Sequence, residues 1–227
     1  MCYWLSASGQ PDERKGYIGI SVGPAFPFGK FGSSGSETHA GFAKPGNHAE
    51  LNFQYLLGVD LGIVLKLFNE KNSFDAASYP NAYSVAQGYR TEVNEWLING
   101  FLAGAFYSIS ISKNRKMFYD GRLMVGFENA SLPAITMSNK HAVNSDSAVV
   151  YSTDGANSIG FGVLFGSGIK YNLSSKFTLL LNAELSILNV YFRNIESTLN
   201  EMHFATEDFY QSMSRITLNA GIAYRLK

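Results

Sequence analysis

The histidines are the first residues to test for chemistry, because imidazole serves as a metal ligand and as a base near neutral pH. The chain has four, His39, His48, His141 and His203, and none of them belongs to an ExxH or HxxxH pair that would place two ligands together. Cys2 is the only cysteine, so a cysteine cluster is not available either. We therefore predict no metal site and no cofactor.

Nucleophilic catalysis has equally little support. Serine and acidic residues are numerous, yet no local signature marks a Ser-His-acid triad. The segment GFGVLFGSG, residues 160–168, has the glycines of a nucleotide-binding loop, but the sequence predicts no helix after it whose N-terminus could meet a phosphate. We interpret these glycines as strand residues and predict that the protein is not an enzyme.

A further group of charged residues stands out because its members alternate with apolar residues and lie among Gly, Ser and Asn. Its nine members are Glu50, Lys66, Asp120, Arg122, Glu128, Lys170, Glu184, Arg215 and Arg225. Opposite charges in a confined interior stabilise one another when they pair, whereas unpaired charges would be costly there. We predict that these residues form a structural polar network and have no catalytic or cofactor-binding role.

The elements that would position this network are β-strands, because apolar and polar residues alternate strictly. In the last segment, for example, Ile216 and Leu218 alternate with Thr217 and Asn219. The pattern predicts eight strands, at about residues 15–26, 48–57, 61–68, 92–112, 117–128, 157–171, 177–188 and 215–227. The facing of the fourth strand is ambiguous.

The connections between these strands alternate in length. Short ones are predicted at 58–60, 112–116 and 173–176, and long polar ones near 29–47, 69–91, 129–157 and 189–211. Tight turns at one end and long loops at the other indicate an up-and-down meander, with both termini on the turn side. An even number of strands lets the last strand close onto the first as a barrel.

Composition decides which face of this barrel points outward. Charged residues make up 16% of the chain and the formal net charge is zero, against a usual charged share of about 25%, so there is little material for a water-soluble exterior and no basic surface for nucleic acid. Small residues on the polar faces suit the narrow interior of an eight-stranded barrel. An outward apolar belt requires lipid, in which closed barrels satisfy their backbone.

The sequence therefore predicts an all-β fold, an eight-stranded antiparallel transmembrane barrel over residues 15–227. No run of 18 apolar residues predicts a transmembrane helix. The alternative is a soluble ligand carrier of lipocalin type with the faces reversed. Aromatic residues near the strand ends are expected to form girdles at the membrane interfaces: Tyr17, Phe26, Trp96, Tyr107, Phe118, Tyr119, Tyr171, Phe177, Tyr191 and Tyr224.

Several stretches resemble a known family: GYIGISVGPAFPFGKFGS, AGFAKPGNHAELNFQYLLGVDLGIVLKLF, MVGFENASLPAI and GIAYRLK. They are similar to the small outer-membrane β-barrels, porin-like or OmpA-type, of Bacteroidota. The resemblance implies a location in the cell outer membrane. Members normally carry a cleavable signal and end on an aromatic residue, whereas this chain begins with a segment, 1–14, predicted as a leader or signal-peptide remnant, and ends on Leu226 and Lys227.

These observations predict a non-enzymatic outer-membrane barrel with a side-chain-filled lumen and long extracellular loops, contributing to surface integrity, adhesion or limited permeation. A lipid-modifying hydrolase on the same fold is the second alternative. Expected partners are outer-membrane lipids and lipopolysaccharide, the barrel-assembly machinery, and surface ligands at the long loops. Residues 69–96, rich in Tyr, Ser, Asn and Ala, have a composition suited to such recognition.

Overall fold

The computed structural model describes residues 15–35, 38–79, 89–139, 149–200 and 202–226, and the predicted leader lies outside them. Within the described residues the chain forms eleven β-strands. They are β1 (Gly16–Phe28), β2 (Ala43–Leu56), β3 (Leu61–Phe74), β4 (Tyr89–Val93), β5 (Trp96–Ser110), β6 (Met117–Leu132), β7 (Ile135–Asn139), β8 (Val149–Thr153), β9 (Ala156–Asn172), β10 (Phe177–Leu199) and β11 (Met202–Leu226).

Eight of these strands close into a ring. The order around it is β11-β1-β2-β3-β5-β6-β9-β10, and β10 pairs with β11 to complete the circle. Every neighbouring pair is antiparallel. Closure gives the strands hydrogen-bonding partners on both sides, and the predicted eight-stranded up-and-down barrel is confirmed.

Three short strands were not predicted. β4, β7 and β8 form a small antiparallel extension, and β8 joins it to the upper end of β10. The predicted loop near 129–157 covers β7 and β8, because strands of five residues are too short to show a clear alternation. The predicted strand at 92–112 joins the end of β4 to β5, although the structure separates the two at Asn94 and Glu95.

The prediction of a long loop at 189–211 is wrong. β10 continues to Leu199 and β11 begins at Met202, and the two strands stay paired almost to their tip, with a bulge between Phe192 and Ile195. The apolar alternation fades above the membrane level because the outer face there meets water. The strands nevertheless continue, so this part of the wall rises above the rest of the barrel.

The apolar residues face outward. Ile20 is 61% exposed and Leu181 is 58% exposed, whereas Lys66 and Glu128 are buried. The predicted facing is therefore confirmed. The lipocalin-type alternative is wrong for this chain, since it requires the reverse arrangement. Among the described residues, no helix is long and apolar enough to cross a bilayer.

The structure resolves the facing of the ambiguous strand. On β5, Ile98, Leu102 and Phe106 are buried inside the barrel, while Phe101 and Tyr107 lie exposed on the outside. Both faces are apolar, so alternation alone could not distinguish them. One side of the interior is consequently lined by hydrophobic side chains, although the pattern predicts a polar interior.

Aromatic residues do border the apolar belt at the turn end of the barrel. Six exposed rings lie there, those of Tyr55, Tyr107, Tyr119, Tyr171, Phe177 and Tyr224. The girdle prediction is wrong for Tyr17 and Trp96, which are buried inside the barrel, and for Phe118, which shares the inward face with its cross-strand neighbour Lys170. Their parity places them on the inward face of their strands, and a position near a strand end does not distinguish the inward from the outward face.

Candidate functional site

Charged side chains fill much of the barrel interior. The structure buries all nine residues of the predicted polar network and adds Glu70 and His48 to them; we call these eleven residues the charge network. Five are acidic and five are permanently basic, so their formal charges balance without His48. Glu70 was missed because the predicted strand ended at residue 68, whereas β3 continues to Phe74. His48 is the first residue of the predicted strand at about 48–57 and was tested only as a metal ligand or base.

The middle of the charge network is built around Lys66. Its ammonium contacts the carboxylates of both Glu50 and Glu184. Arg122 extends the cluster, donating from Nη1 to Glu184 Oε1 at 3.3 Å and from Nη2 to Asn182 Oδ1 at 2.7 Å. Strands β2, β3, β6 and β10 are thereby joined across the interior by side chains alone.

A second cluster lies one level higher. Arg215 donates from Nε to Glu70 Oε2 at 3.2 Å, and its Nη2 contacts Glu128. His48 connects this level to the middle one, because its Nδ1 lies 3.1 Å from Glu70 Oε2 and its Nε2 lies 3.4 Å from Glu50 Oε2. Each carboxylate of the two levels thus contacts at least one basic group.

The lowest level lies near the turns. Lys170 Nζ is 2.6 Å from Asp120 Oδ2 and lies over the rings of Tyr17 and Phe106, 4.7 and 4.8 Å from their centroids. The guanidinium of Arg225 lies 5.9 Å from the Tyr17 ring centroid. Aromatic faces attract cations and exclude water, so this level closes the turn end of the interior.

Neutral side chains add hydrogen bonds to two of the buried carboxylates, those of Glu50 and Glu184. Asn52 donates to Glu50 Oε1 at 2.7 Å and Asn219 donates to Glu50 Oε2 at 3.4 Å. Thr217 donates to Glu184 Oε2 at 3.3 Å. These partners matter because a buried ion pair stabilises a fold only when its remaining lone pairs also find donors.

Glycines on the inward faces make room for this filling. A Cβ on Gly100 would lie 2.2 Å from Cε1 of Phe68, and one on Gly62 would lie 2.4 Å from Cε1 of Phe106. The role predicted for the strand glycines, relief of crowding in a narrow interior, agrees with this packing. The described interior is therefore packed by rings and ion pairs at the level of the charge network.

Three members of the charge network could in principle hold a metal ion. One ligand atom each from His48, Glu50 and Glu184 lies within 4.8 Å of the others. The ammonium of Lys66, however, already contacts both carboxylates. A metal ion would have to displace that internal cation, so the arrangement favours a structural role for these side chains.

The remaining histidines lie apart from one another. His39 packs beside Phe209 and Tyr210, and His203 lies 3.4 Å from the hydroxyl of Thr206. His141 is outside the described residues. Because His48 points into the barrel, it is not available on the lipid-facing surface, where a lipid-modifying hydrolase would need its base.

An aromatic layer covers the charge network from above. We use this name for Phe31, Trp96 and Phe192, all buried. Trp96 donates from Nε1 to the carbonyl of Gly41 at 2.9 Å, and its ring centroid lies 5.4 Å from that of Phe31 and 6.2 Å from that of Phe192. The layer separates the charged interior from the space at the barrel mouth.

The outer surface has the form expected of a barrel in a lipid bilayer. Above the aromatic residues of the turn end, exposed Leu, Ile, Val and Phe side chains cover all eight strands of the ring. The belt ends at a row of outward asparagines, Asn69, Asn99 and Asn129, which are cross-strand neighbours. Since water would not tolerate so large an apolar surface, the surrounding solvent of this belt is hydrocarbon.

No protein-family model and no curated protein sequence matches this chain. Solved structures similar to it include neisserial surface protein A, with 11% identity, 93% of this chain and 97% of that chain covered, and a TM-score of 0.48. The outer membrane protein OprG from Pseudomonas aeruginosa is 14% identical. The match covers 94% of this chain and 97% of that chain, with a TM-score of 0.45.

A major outer membrane protein from Thermus thermophilus is also similar, with 11% identity and a TM-score of 0.49. The match covers 93% of this chain and 99% of that chain. These similarities concern the barrel as a whole. The bilayer environment inferred for this chain rests on its own apolar belt and buried charges.

Proposed function

We propose that this chain is a non-enzymatic outer-membrane barrel with a closed interior, which strengthens the cell surface or mediates adhesion through the structure above the membrane. The observation that supports this most directly is the combination of an apolar belt with a buried charge network. A barrel of this construction is anchored in lipid and leaves its upper rim as the part available to other molecules.

The outer membrane is the bilayer that fits the topology. Outer-membrane barrels have short turns on the periplasmic side and longer segments on the outside. This chain has short turns after β2, β5 and β9, whereas β3, β4, β6, β7 and β8 and the β10–β11 hairpin build longer structures at the opposite end. The proposed partners are outer-membrane lipids and lipopolysaccharide around the belt and the barrel-assembly machinery during insertion, with surface ligands at the upper rim.

Permeation through the barrel should be slight. The three levels of the charge network and the aromatic layer lie across the interior one above another. An eight-stranded barrel leaves an interior that side chains can fill. Contributions to surface integrity or adhesion therefore explain the construction better than transport of solutes through the middle.

Planar-bilayer recording tests the closed interior. The full chain, folded and inserted, is expected to give no steady single-channel current above the bilayer background. Large, steady currents would contradict the proposal. Membrane fractionation and a gel comparing boiled with unboiled samples would establish insertion first, since recovery in the soluble fraction without detergent would contradict the membrane location itself.

The surface role is tested in cells. Strains that produce the protein should resist detergents better, or attach better to host or abiotic surfaces, than strains without it. If neither property changes while the protein is present in the outer membrane, the proposed role is wrong even though the location is right.

A further inference from the structure

A cavity of about 530 Å³ lies at the mouth of the barrel. It is bounded by the upper end of the ring and by the extension that β7 and β8 contribute. Most of its lining is apolar and aromatic, and the residues that shape it include Phe42, Phe74, Trp96, Ile135, Met137 and Phe209. We call this space the mouth cavity.

The mouth cavity ends at the aromatic layer. Trp96 belongs to both, because its ring lines the cavity while its indole nitrogen is held by the carbonyl of Gly41. Phe31 and Phe192 pack against the same ring within the layer. The cavity is therefore a closed-ended pocket rather than the entrance of a pore.

One wall of the mouth cavity carries hydroxyl groups. Thr153 donates from Oγ1 to the Tyr151 hydroxyl at 2.7 Å, and the Ser197 hydroxyl lies 3.4 Å from each of them. All three residues line the cavity, as does Glu207. Hydroxyls both donate and accept hydrogen bonds, so this wall can satisfy a neutral polar group, while the carboxylate of Glu207 would repel an anion.

We propose that the mouth cavity binds a small apolar molecule with one neutral hydrogen-bonding head group, such as a medium-chain alcohol. Its volume falls within the range of about 300–1,000 Å³ found for small-molecule sites, which combine apolar walls with a few convergent polar groups. The apolar body lies against Phe42, Phe74 and Met137, and the head group bonds the hydroxyls of Tyr151 and Ser197. This site lies above the closed interior and does not depend on the proposed surface role.

Trp96 provides a direct reporter of binding. The chain has two tryptophans, Trp4 and Trp96, so Trp4→Phe leaves the one at the base of the cavity. Bromine quenches tryptophan fluorescence only at short range. Adding ω-bromododecanol to the folded Trp4→Phe protein in detergent should give saturable quenching, and unbrominated dodecanol should restore the fluorescence.

A matched pair of variants distinguishes the cavity from the surrounding detergent. Ser197→Phe fills the hydroxyl wall, and Ser138→Phe makes the same change on β7 at a position that does not line the cavity. We expect Ser197→Phe to lower the affinity for the alcohol by more than about tenfold and Ser138→Phe to change this affinity by less than about twofold. Quenching that rises linearly with the probe and is equal in both variants would overturn the proposal.

Two further measurements keep the test decisive. If Ser197→Phe fails to show the gel shift of a folded barrel, Thr153→Phe fills the same cavity from β8 and carries the same expectation. The head-group preference is tested with ω-bromododecanoate, which should bind about tenfold more weakly than the alcohol because of Glu207. Equal affinity for the two probes would show that the hydroxyl wall and Glu207 do not select the ligand.

Discussion

The lower and the upper halves of the barrel use the same strands in different ways. In the lower half, β3, β6, β10 and β11 enclose an interior packed by the charge network and by the rings of Phe68 and Phe106. In the upper half, the continuations of these strands enclose the mouth cavity. Side chains fill the lower half, which favours stability there, whereas the upper half leaves the open space in which we propose ligand binding.

The polar contacts of the two halves also differ, because those of the lower half are buried and those of the upper half are exposed. Below, ion pairs such as Arg215 with Glu70 and Glu128 are buried. Above, Asp208 accepts hydrogen bonds from the Tyr191 hydroxyl and the Asn194 amide on the exposed face of the β10–β11 hairpin. Buried pairs cost several kcal/mol to break, whereas exposed contacts contribute little.

The largest expected effect comes from breaking the charge network. Arg215→Met leaves the buried carboxylates of Glu70 and Glu128 without their shared cation, so it should lower the free energy of unfolding by roughly 3–5 kcal/mol. Arg193→Met, on the exposed face of the upper hairpin, is the matched control and should change it by less than about 0.5 kcal/mol. Urea unfolding in lipid vesicles measures both; equal losses would contradict the comparison.

A smaller effect should follow from overfilling the lower half. Gly100→Ala places a methyl group against the Phe68 ring and should destabilise the barrel by about 1–3 kcal/mol. Gly121→Ala is the control, because a Cβ there meets no atom within 4 Å, and it should be neutral or stabilising by up to about 1 kcal/mol. If both variants unfold alike, the interior around Phe68 is less tightly packed than the structure indicates.

The sequence predicted the lower half better than the upper half. Alternation identified the inward side of seven of the eight ring strands and selected nine residues that the structure places in the interior. It failed on β5, where Phe101 and Leu102 are both apolar. It also stopped before Glu70, because β3 rises above the membrane and its outer face becomes polar at Asn69.

The partners within the charge network could not be predicted from the sequence. Arg215 meets Glu70, 145 residues away, through the register of strands around the ring. The mouth cavity depends on β7 and β8, whose five residues each carry too little pattern to be recognised. Long strands with one apolar and one polar face can be predicted from the alternation of the sequence. Side-chain pairings across a barrel and short added strands can be found only from the structure.

The smallest expected effect is a pH dependence confined to the upper half. The hydrogen bonds from the Asn194 amide and the Tyr191 hydroxyl hold the pKa of Asp208 below its usual value. A carboxyl group whose pKa is lower in the folded than in the unfolded protein stabilises the fold at pH values above its unfolded pKa of about 3.9. This contribution is lost as the pH falls through the pKa of the folded state. Acidification should therefore loosen the tip of the β10–β11 hairpin first.

Amide hydrogen exchange tests this expectation. After correction for intrinsic rates, protection around Asn194 in the native protein should stay constant from about pH 6 to about pH 4 and should fall as the pH is lowered further, and Asp208→Asn should remove that pH dependence. Strands of the lower half should keep their protection in both proteins. A uniform loss along the whole of β10 would show that the two halves do not respond separately.

The central claim is that the apolar face of the wall lies in hydrocarbon, and methyl NMR of the protein in lipid nanodiscs tests it most directly. A nitroxide carried on a lipid chain should broaden the methyl signals of Leu65 and Leu181, which are exposed, much more than those of their buried neighbours Val64 and Leu180. The opposite order, with Val64 and Leu180 broadened more strongly, would contradict the account.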